Sequence, residues 1–415
     1  MRDLRTSPRL VPHHSRPVTE TLDTRSIDRR PATGAWPNYA GIALIGYLIY
    51  GLGAVGPYLR IQLHLSDAEV GLHSTGLALG ITAAGILAGN LGRRFGEIPV
   101  RAIALCLLGL AIVSLAAAPG LAVTLAAAVL IGLGTGTVLG YANATLAAPG
   151  GVRARLQVAR ANVWAMVAAF VGPLMLAAGA SDGPGWWIGF LPAAGLLAVL
   201  ALDLRAGPRL EVPATTADGD PRLPRGFWIA WTFLVASIAV EFSVVFWAAT
   251  LVQRRTAVTV AEATLLGALF FAGMFTGRLG LAFGLGTGHD VRRPATIGLV
   301  LALVGTGVAW LSTVPLLSGG ALFVAGLGVA ILYPLGVAAA LATVPGRLAQ
   351  AGARLNLATG VAIVTAPFAL GVVADLAGVI VGWGVVIGLV LVAIVFASRL
   401  PRGALAPVPT TAPTP

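Results

Sequence analysis

The chain contains no lysine and one cysteine, and only 10% of its 415 residues are charged. That scarcity of charge excludes a soluble globular enzyme, because an ordinary soluble domain carries roughly 25% charged residues to cover its wet surface. With 57% apolar residues and a mean hydropathy of +0.89, most of the chain is also too hydrophobic for disorder. A lone cysteine, Cys106, excludes an intrachain disulfide and a thiolate metal site. It lies in an apolar run and reads as a small apolar residue. There is no G-x-x-x-x-G-K-[ST] phosphate loop, so the chain carries no ATPase of that kind. HExxH and paired-cysteine patterns are missing too. Catalysis, a bound metal and a cofactor are therefore not expected.

What is there is apolar runs long enough to cross a bilayer, which takes about 20 residues of helix. Twelve appear, at 36–59, 71–91, 100–118, 121–147, 158–180, 185–203, 226–251, 262–284, 295–314, 316–342, 355–376 and 378–398. The runs are continuous, not alternating, so they read as helices and not as barrel strands. Residues 1–35, rich in arginine and proline, read as a disordered cytoplasmic tail with no signal-peptide core. Residues 204–225 hold four prolines and four arginines and read as a cytoplasmic linker between a six-span bundle at 36–203 and another at 226–399. Residues 400–415 form a second tail.

All 27 basic residues are arginine, and the formal charge is +11. Their positions decide what that charge means. An even number of spans puts both termini on one side. If that side is the cytoplasm, its segments hold 24 arginines, and the outer loops hold 3: Arg60, Arg254 and Arg255. This positive-inside bias predicts cytoplasmic termini in a plasma-membrane protein. No arginine cluster alternates with aromatics as a nucleic-acid surface would require.

The two halves resemble each other. Gly89 to Gly96 after span 2 and Gly277 to Gly284 after span 8 both read G-x-L-G-x-x-F-G, each preceded four residues earlier by glycine, Gly85 and Gly273. Gly132-Leu133-Gly134 in span 4 matches Gly326-Leu327-Gly328 in span 10, and Arg160, Asn162 and Pro173 match Arg354, Asn356 and Pro367, at a common offset of 194 residues. Six spans, a linker and six spans in parallel repeat is a transporter architecture with its site between the halves.

On these residues the chain, over 36–399, resembles the major facilitator superfamily. Gly89, Leu91, Arg94 and Gly96 are in register with that family's G-x-L-x-D-R-x-G-R-R signature, but Arg93 stands in the aspartate slot and Glu97 in a basic one. In the family that aspartate helps latch the inner gate. Here Glu97 pairs with Arg93, Arg94 or Arg101, either in place of the missing aspartate or as ordinary helix-end ion pairing. Gly172-Pro173 resembles the core of the drug-exporter antiporter motif, although Ala168, Met175 and Leu176 replace its flanking glycines, and Ala128 stands where proton-coupled exporters carry an arginine. Glu241, Ser243 and Trp247 resemble an E-x-S-x-x-x-W pattern of fucose-permease-like members. The resemblance implies an all-α fold of two pseudo-symmetric six-helix bundles.

Charged groups in a span are expensive, about 2.5–3.5 kcal/mol for Asp at a helix centre. Glu241 is the one acid near mid-membrane; Asp203, Asp375, Glu262 and Arg278 fall near span ends. Glu241 is therefore the expected proton-coupling residue, because a low-dielectric site opposes the charged form of a carboxylate. The competing role is a buried acid that only bonds a neighbouring helix. Tyr47, Tyr50, Asn143, Ser237, Trp247 and Tyr333 are the candidate cavity residues. Tyr47 and Tyr50, three apart, share a face as cavity donors or as packing residues. Trp247 either stacks a ring-shaped solute or anchors an interface. Asn162 and Asn356, Arg160 and Arg354 read as gate or capping residues. Gly85/Gly89 and Gly273/Gly277 are small-x-x-x-small packing pairs, and Pro173 and Pro367 are matched kink sites suited to a gate hinge. His64 and His73 read as bystanders.

The expectation is a monomeric secondary transporter that moves a small organic solute by alternating access, coupled to protons. Export of an amphipathic compound fits the sparsely charged spans, and proton symport of a neutral sugar-like solute fits the span 7 resemblance. With no arginine expected at mid-membrane, a strongly anionic substrate is disfavoured. A membrane-embedded enzyme would need clustered His, Asp or Cys in the spans, and a sensor would need a sizeable soluble domain. The sequence supplies neither.

Overall fold

The computed structural model describes residues 36–147, 151–181, 185–204, 222–282, 290–344 and 347–401. The tail at 1–35, most of the 204–225 linker, nearly all of 400–415, and Phe283 and Gly284 of the second glycine motif lie outside them.

Among the described residues there are helices and no strands. They are α1 (Trp36–Leu63), α2 (Asp67–Phe95), α3 (Glu97–Ala117), α4 (Leu121–Ala147), α5 (Gly151–Ser181), α6 (Leu191–Asp203), α7 (Arg225–Thr256), α8 (Val260–Ala282), α9 (Arg292–Leu311), α10 (Pro315–Val329), α11 (Leu332–Ala342), α12 (Leu348–Ala377), α13 (Val379–Gly382) and α14 (Gly384–Ala397). Among the described residues, twelve stretches are long and apolar enough to cross a membrane. The tenth is α10 with α11, the eleventh is α12, and the twelfth is α13 with α14. A 3-10 turn at Trp186–Phe190 leads into α6. The tenth span breaks at Ala330–Ile331 because Pro334 has no N–H for the Ala330 carbonyl. Tyr333 therefore stands at a helix break. Pro173 and Pro367 sit inside helices that run on through them.

Helices α1–α6 pack into one bundle and α7–α14 into another. Within each bundle, glycine permits the closest approach. A Cβ on Gly132 would overlap the Leu77 carbonyl oxygen and lie 2.8 Å from the Gly80 Cα, so α2 and α4 touch backbone to backbone. In the second bundle a Cβ on Gly326 would overlap the Phe270 carbonyl, and one on Gly273 the Phe323 carbonyl, joining α8 to α10. The spacing from Gly80 to Gly273 is one position short of the spacing from Gly132 to Gly326. This corrects the register of the sequence repeat. Gly273 is equivalent to Gly80, not to Gly85, which faces open space. Helix-tip glycine motifs can match by composition, whereas backbone contact admits one register.

The bundles meet through α2 with α12, α5 with α8, and α1 with α7 and α8. We call the end holding the start of α1 the terminal end, and the end holding the α1–α2 turn the distal end. Cross-bundle contacts run from the distal end to mid-helix. The Thr75 hydroxyl donates to the Val364 carbonyl at 2.9 Å, Tyr58 donates to Thr264 at 3.1 Å, and Gly360 approaches Thr82. Beyond that level, Ile86, Leu87, Gly89, Asn90 and Leu91 are all exposed, which covers most of the circumference of α2. What remains covered faces α4, where the Tyr141 hydroxyl approaches Gly92. The interface is thus closed distally and parted toward the terminal end.

Candidate functional site

Glu241 lies at the middle of α7, halfway between Arg225 and Thr256. It is buried, with 5% of its surface accessible. The Tyr50 hydroxyl, from the other bundle, donates to its Oε1 at 2.8 Å. Tyr50 is held by two rings of the second bundle. It stacks on Phe242 with centroids 6.1 Å apart and meets Phe271 edge-on at 5.2 Å. The guanidinium of Arg278 acts electrostatically on Glu241 and Tyr50. Tyr333 feels both Glu241 and Arg278, yet is 42% accessible. Tyr333 is thus an exposed phenol within electrostatic reach of a buried carboxylate.

Arg278 corrects the expectation that no arginine reaches mid-membrane. Val260 and Pro315 are the distal starts of α8 and α10. Counted from them, Arg278 and Tyr333 lie at equal depth, about 27 Å at a helix rise of roughly 1.5 Å per residue. A long side chain on a helix can carry its head a turn away from its own Cα. The depth arithmetic was available in the sequence; the direction of the side chain was not.

Other expected cavity residues fall elsewhere. Tyr47 is buried and its hydroxyl bonds the Gly189 carbonyl inside its own bundle. A step of three positions falls short of a full helical turn of about 3.6 residues, and Tyr47 and Tyr50 point to different neighbours. Ser237 donates back to the Phe233 carbonyl at 2.8 Å. Trp247 is fully buried, and its indole N–H donates to the Pro367 carbonyl at 2.9 Å. It therefore ties α7 to α12. Asn143 is exposed in the last turns of α4.

At the terminal end Gly89, Arg93, Arg94 and Gly96 of the motif are exposed. Arg93 bonds Asn90, Arg94 lies over the Phe95 ring at 5.2 Å, and Glu97 pairs with Arg101 at 3.2 Å. Gly96, with φ of 87°, ends α2 and turns the chain into α3, a conformation that favours glycine. Arg160 and Asn356 are exposed, and Asn162 bonds the Val158 carbonyl of its own helix at 2.9 Å. The Arg354 carbonyl accepts from Trp231 at 2.8 Å. Gly277 packs against Leu327, while nothing meets Gly85 and only the Arg93 side chain approaches Gly89. His73 is buried, bracketed by the Glu69 and Val70 carbonyls and by Thr124. Among the described residues no group of three His, Cys, Asp or Glu side chains could hold a metal.

Twelve spans in two bundles that part at one end and meet around a buried carboxylate define a membrane transporter of a solute. The chain belongs to the Major Facilitator Superfamily, whose family model matches residues 39–289. Its fold is similar to that of a bacterial homologue of the human lysosomal transporter Spinster in an inward-facing, occupied conformation (16% identity, 88% of this chain and 96% of that one, TM-score 0.71). It is also similar to the nucleoside transporter NupG (14% identity, 88% of this chain and 96% of that one, TM-score 0.67). No curated protein sequence matches the chain. Family and fold make it a multi-pass membrane transporter and not an enzyme.

Proposed function

We propose that the protein is a proton-coupled secondary transporter of the plasma membrane, working as a monomer with both termini in the cytoplasm, and that Glu241 carries the proton. The supporting observation is the Tyr50–Glu241 hydrogen bond of 2.8 Å, which joins the two bundles at mid-membrane. An ionised carboxylate accepts such a bond about twice as strongly as a neutral one. Proton binding to Glu241 therefore weakens the tie between bundles and removes the negative partner of Arg278. Rocking of the bundles then carries the proton to the other face, where its release restores the tie. The solute binds beside Tyr50, Tyr333 and Arg278, near the rings of Phe242 and Phe271.

The aromatic lining suits an organic solute with a flat or amphipathic body. Arg278 removes the objection to a solute with one negative group. Export is the first reading; symport of a neutral sugar-like or nucleoside-like solute would use the same proton site. A thermal-shift screen of purified protein against sugars, amino acids, nucleosides and antibiotics identifies the solute class. In proteoliposomes Glu241→Gln is then expected to abolish accumulation driven by a pH gradient while exchange persists. Accumulation at the wild-type rate would falsify the assignment of Glu241.

A further inference from the structure

The distal end carries a further cross-bundle contact that the proton site does not explain. The start of α2 is capped locally: Ser66 and Glu69 bond each other's backbone N–H groups, at 3.2 and 2.8 Å. That reciprocal cap leaves the next two donors of the helix, the N–H groups of Asp67 and Ala68, without a local partner. Both are taken by one carboxylate of the other bundle. Asp67 N donates to Asp375 Oδ1 at 2.6 Å, and Ala68 N to Asp375 Oδ2 at 2.9 Å.

Asp375 sits in the last turn of α12, which ends at Ala377. A carboxylate there faces the negative end of its own helix dipole, an unfavourable place for an acid. The positive end of α2 compensates it, but only while the bundles are together. Two further features serve the same joint. Gly371, one turn before Asp375, lets α12 lie against α2, since a Cβ there would fall 2.6 Å from the Asp67 carbonyl oxygen. The Asp67 side chain makes a close ion pair with Arg60 Nε at 2.8 Å, without aligned hydrogen-bond geometry. That pair fastens the end of α1 to the same joint.

We propose that Asp375 is the latch of the distal gate: its carboxylate holds the N-terminus of α2 in the closed state, and must let go for the distal end to open. Opening breaks two charge-assisted hydrogen bonds and leaves an acid at the wrong end of its helix. Asp375 thereby sets the balance between the distally closed and distally open states. This holds whatever the solute and whether or not Glu241 carries a proton.

The test uses the full chain in nanodiscs with Cys106→Ala and paired spin labels. Ile61→Cys and Leu316→Cys report the distal end, and Leu156→Cys and Leu357→Cys the terminal end; all four positions are exposed. Asp375→Ala is expected to raise the ratio of open to closed distal distances by roughly tenfold, the worth of one charge-assisted hydrogen bond. The terminal-end distances should shorten in step, which a merely local loss of structure would not produce. Asp375→Asn, which keeps an acceptor and loses the charge, should fall between, and Asp375→Glu should restore the wild-type distribution. If Asp375→Ala does not fold, Asp375→Asn carries the test. A folded variant of either kind whose distal distances match the wild type overturns the proposal.

Discussion

Replacing Tyr50 by phenylalanine isolates the tie that couples the bundles at mid-membrane. The ring stays, and with it the stack on Phe242 and the edge contact with Phe271. Only the hydroxyl, 2.8 Å from Glu241 Oε1, is removed. A hydrogen bond to a charged group is worth about 1.5–3 kcal/mol in a soluble protein. In a membrane the reference state also finds partners, and measured couplings average about 0.6 kcal/mol with a maximum near 1.7. Glu241 is 5% accessible and keeps the Arg278 field after the mutation. The upper half of that range therefore applies, about 1–1.7 kcal/mol. This corresponds to roughly a 5- to 20-fold change in the unfolding equilibrium. A double-mutant cycle with Tyr50→Phe, Glu241→Gln and the double variant, read by reversible unfolding in mixed micelles, gives the coupling directly. The sign is fixed: the two losses together must cost less than their sum. The coupling should also shrink at a pH low enough to protonate Glu241, because the charge assistance goes with the charge. A coupling under about 0.3 kcal/mol, inside the usual error of additivity, would refute the bond as a structural tie and with it the route from proton to gate.

Further expectations follow from the packing. Gly132→Ala and Gly326→Ala each place a Cβ into a carbonyl oxygen of the facing helix, so each should destabilise by about 1–3 kcal/mol or more. Gly140→Ala, with open space around it, should be near neutral, and melting curves of the three variants make the comparison. Trp247→Phe loses the bond to the Pro367 carbonyl and should cost about 0.5–1.5 kcal/mol of stability. Its apparent solute affinity should stay unchanged; an affinity loss of tenfold would mean that the indole touches solute after all. Tyr333→Phe, by contrast, is expected to weaken solute binding by about 2- to 10-fold with little change in melting temperature, since Tyr333 is accessible and within electrostatic reach of Glu241 and Arg278.

How much could be read beforehand depended on the length scale of each feature. Spans follow from runs of apolar residues, because a helix in lipid must satisfy its own backbone and present hydrocarbon outward. The twelve runs therefore became twelve spans with ends shifted by a few residues. Glu241 was legible for the same reason, since a lone acid in such a run has no cheap explanation. The equivalence of Gly132 and Gly326 was legible too, and the structure places both at matching backbone contacts. The glycine motif at 89–96 misled, because similar helix tips in a Gly- and Leu-rich chain need not be equivalent positions.

The sequence by itself thus determined a twelve-span helical membrane protein with a carboxylate at mid-span, because hydropathy and the cost of burying charge are local properties of the chain. Which groups meet that carboxylate was decided only in three dimensions. Tyr50 and Tyr47 differ by less than one helical turn, yet one reaches Glu241 and the other the Gly189 carbonyl. Arg278 and Asp375 read as helix-end charges, and only the packing of α8 beside α1 and of α12 against α2 gives them partners. A side chain's direction depends on helix rotation and crossing, and those are set by backbone contacts such as Gly132 on Leu77, far along the sequence from the residues they aim.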